Sequence, residues 1–496
     1  MAVTMMSEEA GGPRLYNLGG GLIRRSWMAS AAAPRDITIA VVGFLIGLVA
    51  FLYGHLYAPA PIYVTTAIVV GVLHSRDRIR EEIGERGPGI MQDTAAALAG
   101  LGSYDGSEPL WLLRRTRWAA YSPRDGVGEL AVQLQDLPGR WPWSTRTSAV
   151  AVVELAGTEL GAAEWAAENR RAAAFGAMLA LAAQSTLRVQ QVDFVTSIRP
   201  AELSAQLDWD AAHVAGPENQ SEAAELCALV APWCVERHSW MVVRVDGSRL
   251  LAADWADSAC EAAWNAADTL VRQAIPAQLS PVRALGPGRM GGLLRHIMVP
   301  DWSPDVWESA WSTPADAIPP FEAHSGNVAV LDPSGSPVWW HAAGVVEADG
   351  WPDGTVKPDL LDALVGRIPA APWRLVVVQC ATMSRRSAQA QAVVSGNIAA
   401  SAHRAAVAAG GLSTGEEQER VFAAHGLLGD LRRNAAGIQL VLRVLVSHRT
   451  EEELEDAKRA VRDVLDQAGF SGQYWAGRAG TLALMSCLPT ASGVKS

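Results

Sequence analysis

Two apolar runs lie close together near the start of the chain. From Ile37 to Tyr57 the sequence reads ITIAVVGFLIGLVAFLYGHLY, 21 residues without a charge. At ~1.5 Å per residue such a helix reaches across the roughly 30 Å hydrocarbon core of a bilayer. Ala58-Pro59-Ala60-Pro61 breaks it. A second run, Ile62–His74, follows at once; at ~20 Å it is short, and crosses only if Arg76 and Arg78 snorkel and the bilayer thins. The pattern predicts a two-helix membrane hairpin, with one span plus a re-entrant segment, or a buried helical pair, as alternatives. A cleaved signal peptide fits poorly, because a second apolar run stands where a polar mature start belongs. Arg14, Arg24, Arg25 and Arg35 precede the first run, Arg76, Arg78, Arg80 and Arg86 follow the second, and none lies between. By the positive-inside rule both ends, and the bulk of the chain, face the cytoplasm at the plasma membrane.

Beyond a polar, glycine-bearing linker the pattern changes to apolar strands alternating with Ala-rich helices. Strands are predicted at Ala149–Leu155, Leu187–Ile198, Trp240–Val245, Pro281–Leu285, Arg374–Cys380 and Ile438–Val446. Helices are predicted at Glu159–Gln184, Ala252–Ala274, Ser387–Ala409 and Gly415–Asn434. Thr450 and Glu453 form a T-x-x-E capping box, and the helix they open places Leu454, Ala457, Val461, Val464 and Leu465 on one face. Gly469 is set to end that helix in the left-handed conformation. Recurrent strand–helix–strand units predict an α+β fold: the membrane hairpin followed by ferredoxin-like α/β sandwich domains. Pro300–Pro372, rich in Trp, Pro and Asp, reads as an insertion. The resulting division is a tail (1–36), hairpin (37–80), linker (81–110), first α+β region (111–290), Trp-rich insertion (291–372) and C-terminal α+β domain (373–490).

Composition narrows the chemistry. The net charge of -11 over 496 residues repels phosphate backbones, so no direct nucleic-acid partner is expected. Five cysteines, with no C-x-x-C among them, read as free thiols rather than a zinc site or a disulfide frame. The only lysines are Lys357, Lys458 and Lys495, and none follows a glycine. A phosphate-binding loop needs such a lysine to reach the terminal phosphates, so the chain is not expected to be an ATPase.

Other motifs are weighed against plainer readings. Gly286-Pro287-Gly288-Arg289-Met290-Gly291 matches G-x-G-x-x-G, but a dinucleotide site also needs a helix opening there and an acidic residue for the ribose. It reads as a glycine-rich loop. Gly411-Leu412-Ser413-Thr414-Gly415 matches G-x-S-x-G, yet Ser413 with Glu416 makes a helix cap. His403 and His425 lie on separate predicted helices, and no metal or cofactor is expected. Trp111–Trp118 interleaves Trp with Arg and reads as a surface strand or membrane-facing edge rather than a base-stacking platform. Within DWSPDVWESAW, Asp301–Trp311, Ser303 as N-cap and Pro304 at the first position predict a short helix. Trp302 would staple onto Trp307, and Trp307 would share a face with Trp311. With Trp339 and Trp340 these are core or a partner-docking patch.

The hairpin Ile37–His74, the Asp301–Trp311 block, the Ser384–Gln391 helix entry, the Glu451–Gly469 helix and the apolar strand that ends Gln473–Pro489 carry a resemblance. Together they resemble membrane proteins from conjugation loci of high-GC Gram-positive bacteria. Those are similar to the ATPase-less N-terminal half of TrbE/TraC-type type IV secretion ATPases, fused behind a two-helix membrane segment. The resemblance implies a non-catalytic structural subunit of a transfer machine, in contact with the bilayer and with other secretion subunits including an ATPase, and allows contact with copies of itself. The alternative is an EccE-like core component of type VII secretion, which shares two N-terminal spans and a Trp-rich α/β body.

Overall fold

The computed structural model describes, with short gaps, residues 117–383 and 437–489, together with Tyr16–Asn17, Ala388, Gln389 and Val393. The expected membrane hairpin and its flanking arginines Arg24, Arg25, Arg35, Arg76, Arg78 and Arg80 lie outside the described residues. So do most residues of the two helices expected between 387 and 434.

The described residues form an α+β body around one large antiparallel sheet. Its strands are β2 (Arg117–Tyr121), β3 (Leu130–Pro138), β4 (Thr145–Ala156), β5 (Val189–Pro200), β6 (Val235–Asp246), β7 (Ser280–Ala284), β8 (Phe321–His324), β9 (Asn327–Leu331), β10 (Pro337–Val346), β12 (Trp373–Met383), β13 (Gly437–His448) and β14 (Gln473–Trp475). A separate two-stranded pairing joins β1 (Tyr16–Asn17) to β11 (Thr355–Val356). The helices are α1 (Trp165–Ala182), α2 (Ser204–His213), α3 (Pro217–Val230), α4 (Trp255–Ala274), α5 (Pro287–Met298), α6 (Asp362–Val365), α7 (Glu451–Gln467) and α8 (Gly480–Cys487).

Strand order across the sheet is β2-β3-β4-β6-β5-β12-β13-β10-β9-β8. Along β4, β3 pairs with 145–150 and β7 with 153–156. Along β10, β9 pairs with 337–341 and β14 with 344–346. The same unit is therefore built twice. A hairpin (β2–β3 or β8–β9) leads into a strand (β4 or β10), a helix (α1 or the short α6) and the strand at the seam (β5 or β12). A long connection returns as β6 or β13, followed by a helix (α4 or α7), a short strand (β7 or β14) and a last helix (α5 or α8). The units meet through β5 and β12, from Ile198↔Arg374 to Gln191↔Ala381, so the repeat is related by a local two-fold at the sheet centre.

The sequence pattern split this architecture differently. The first two strand–helix–strand runs belong to one unit, and the segment 291–372 contributes β8, β9 and β10 to the continuous sheet. The expected C-terminal apolar strand is instead helix α8, apart from the short β14.

Pleating gives the sheet two apolar faces. One face, with Ala149, Ala151, Val192, Val243 and Val444, is covered by α1, α4 and α7. Small residues of α4 at helical spacing, Ala259, Ala263, Ala266, Ala267 and Ala274, are buried there, and their size lets the helix lie close to the strands. The other face, with Val150, Val195, Trp240, Val377 and Leu445, is covered by α5 and α8. Helix α7 forms as its sequence dictates: Thr450 Oγ1 accepts from Glu453 N at 3.3 Å, Leu454, Ala457, Val461 and Leu465 are buried, and Gly469 has φ 82°. At the start of β12, buried Arg374 donates to the carbonyls of Leu364 (2.8 Å), Ala371 (2.6 Å) and Gly366, so one guanidinium satisfies the C-terminal end of α6.

Candidate docking site

The described residues of 301–311 form a turn at 304–305, with the end of another at 301, and otherwise irregular chain rather than the expected helix. Val306 N donates to Ser303 O (3.1 Å) and Trp311 N to Glu308 O (3.2 Å). Ser303 does not cap a helix; its Oγ accepts from Asp305 N at 3.4 Å. Trp302 neighbours Trp311, at 6.3 Å between ring centroids, instead of stapling onto Trp307. Trp307 and Trp311 share no helix of their own.

What orders the segment is α5. The stretch expected as a glycine-rich loop is the first part of this helix, with Gly286 at the N-cap and Pro287 at the first position. Gly288, Gly291 and Gly292 recur at helical spacing and leave a stripe without side chains. A Cβ at Gly292 would meet the carbonyl oxygens of Pro304 and Val306, both at 2.7 Å. One at Gly291 would meet Trp311 at 2.9 Å, and one at Gly288 would meet Trp307 at 3.1 Å. The backbone of the segment lies against the backbone of α5, with Trp307 and Trp311 laid along it about one turn apart. The glycines that resembled a phosphate cradle serve as a seat for tryptophans.

Polar anchors fix the junction of α5 with the segment. His296 Nδ1 lies 2.6 Å from Trp302 O, and its Nε2 lies 2.8 Å from Ser197 Oγ. Burial lowers His296 to about 4, so the ring is neutral at physiological pH. It has one N–H, which it donates to the Trp302 carbonyl, and it accepts from the Ser197 hydroxyl. The hydroxyl–imidazole spacing is that of a nucleophile and its base, but both residues are buried and the ring proton is committed to backbone. His341, likewise held to about 4 by burial, joins Met298 O (3.0 Å) to Ser447 Oγ (2.8 Å) at the end of α5. Asp301 accepts from Arg449 at 2.5 Å, and the Arg449 guanidinium lies 4.0 Å from the centroid of the fully buried Trp339.

The outer side of the segment is apolar with a charged rim. Trp307 is 50% exposed and Val306 48%. Arg289 lies over the Trp307 ring at 5.3 Å. Asp305 accepts from Arg289 and Arg283, each at 2.5 Å, and Arg283 also donates to Glu154 at 2.6 Å. Trp302 and Trp311 are half-buried. The tryptophan block thus divides: Trp302 and Trp311 pack inward, Trp307 faces out, and Trp339 is core.

A second polar group lies beneath α8, at the seam. Asp193 is fully buried, and Gln191 Nε2 donates to both its oxygens (2.7 and 2.9 Å). Across the seam Gln379 faces Asp193 in register; it accepts from Arg443 at 2.8 Å and donates to Ser486 O at 3.2 Å. The pattern of strands gave no hint of this row, because Asp193, Gln379 and Arg443 each stand singly within an apolar run. Cys260, Cys380 and Cys487 are buried and all five cysteines are free. Among the described residues, no three His, Cys, Asp or Glu side chains converge as metal ligands. No protein-family model and no curated protein sequence matches the chain.

Proposed function

We propose that this chain is a non-catalytic, membrane-anchored structural subunit of a conjugative, type IV-like secretion machine, which docks a separate ATPase at the inner face of the membrane. The observation that carries the reading is Trp307, half-exposed beside Val306 and framed by Arg283, Arg289 and Asp305 on a segment whose other tryptophans anchor it. An apolar centre with a charged rim is the usual anatomy of a protein–protein contact, and Trp and Arg dominate the energetics of such contacts. The anchor in this reading is the Ile37–His74 hairpin. The body in it is a pair of ferredoxin-like units, a reading supported by the strand–helix–strand–strand–helix–strand connectivity of each half.

The test compares Trp307→Ala with Trp311→Ala in the full-length protein. Trp307→Ala should leave the melting temperature unchanged and weaken ATPase co-purification by about 2 kcal/mol or more. Trp311→Ala should lower stability by about 2–4 kcal/mol, because its ring fills the seat at Gly291. Normal co-purification with Trp307→Ala would remove this surface from the reading. Recovery of type VII core components in place of a conjugative ATPase would favour the EccE-like alternative.

A further inference from the structure

We propose that the α2–α3 hairpin is a second docking face, built to take a basic amphipathic helix from a protein partner. This surface is separate from Trp307 and does not depend on the reading above. The hairpin leaves the sheet between β5 and β6 and turns at Gly216, whose φ is 89°. Every described side chain on its two helices is exposed except Asp210, Ala223 and Cys227. Contacts between the helices include Cys227 Sγ to Asp210 Oδ2 (3.7 Å) and Gln220 Nε2 to Ala211 O (3.1 Å).

Two features point to an occupant. First, Leu226, Leu229 and Val230 form one stripe on α3 and are 60%, 70% and 40% exposed, and Trp209 on α2 is 55% exposed. Helices of 10 and 14 residues are marginal in water without an apolar face packed against something. Second, the hairpin carries Asp208, Asp210, Glu218, Glu222 and Glu225, with no Lys or Arg from Ser204 to Val230. Glu222 and Glu218 stand one and two turns before Leu226 on the same column of α3. Among the described residues no cation pairs with Asp208, Glu218, Glu222 or Glu225. A second copy of this hairpin would bring like charge against like charge, and an anionic bilayer would be repelled in the same way. A helix with leucines on one face and arginines beside them satisfies both halves of the surface.

Amide hydrogen exchange of the full-length protein in detergent tests this, with a synthetic Leu/Arg amphipathic peptide as probe. The same peptide with Glu for Arg, and anionic phosphatidylglycerol vesicles, serve as the other arms. With the Leu/Arg peptide near ten times its Kd, protection across 204–230 should rise about tenfold. The effect should weaken in high salt and vanish in the Leu226→Ser, Leu229→Ser double variant. That variant should melt normally, since both side chains are exposed. The proposal is overturned if the peptide adds no protection, if the Glu peptide or the vesicles add as much, or if the hairpin is already protected in a dimer of the free protein.

Discussion

Asp193 and the two buried histidines bend the pH dependence of stability in opposite senses. Burial raises the Asp193 carboxyl from the ordinary 3.8 to about 7, against the pull of the Gln191 hydrogen bond and of Arg244 and Arg443. The folded state then holds a proton that the unfolded chain has released, so this contribution is complete below pH 4 and is lost as pH rises toward 7. His296 and His341 are lowered by burial from 6.5 to about 4. Their contribution is complete above pH 6.5 and is lost as pH falls toward 4, by about 3 kcal/mol for each ring. Two rings outweigh one carboxyl, so the midpoint of urea unfolding should fall between pH 6.5 and pH 4. Asp193→Asn should steepen that fall, because it removes a group that gains on acidification. A variant with the same slope as the parent would show that Asp193 is ionised in the folded protein.

At the scale of elements, α5 and the Trp segment form one device, and the glycine stripe is its weak point. Gly292→Ala drives a methyl into two backbone carbonyls, which cannot swing aside as a side chain would. It should cost about 1–3 kcal/mol and free the segment, read as increased proteolysis near residue 306. The same substitution at Glu308, on the exposed side, should change neither measurement. This device was not legible from the sequence, because the glycines and tryptophans acquire meaning only from each other, across a turn. Helix α7 was legible down to its cap and terminating glycine, since all its signals are local. Helix α8 was misread because TLALMSCLP is apolar without a period, and a run that short fits strand and helix alike. Strand β10 was lost to composition: PVWWHAAGVV reads as part of a Trp- and Pro-rich insertion until Trp339 and His341 are seen buried between β9 and β13.

For the whole molecule, the seam decides whether the halves are domains or parts. Neither β5 nor β12 is an edge in the intact chain, yet each becomes one if the units are separated, with a row of unpaired amides and carbonyls. Fragments ending near residue 312 and beginning there should each aggregate when expressed alone. Co-expressed, they should assemble into a soluble complex, checked by size-exclusion chromatography. Stable, monomeric fragments would show that the seam is dispensable.

Because β5 and β12 run antiparallel, the chain leaves the sheet at Pro200 on one end and at Met383 on the other. The first exit carries the α2–α3 hairpin; the second opens the longer connection 384–436. A strand of 12 residues puts roughly 40 Å between these exits. The two central strands thus place these exits at opposite ends of the sheet. An occupant of the α2–α3 hairpin therefore pulls on the sheet at the end away from the second exit. Tension applied between the two exits would run lengthwise along the two central strands, where it loads a whole ladder of hydrogen bonds in shear instead of peeling them one at a time.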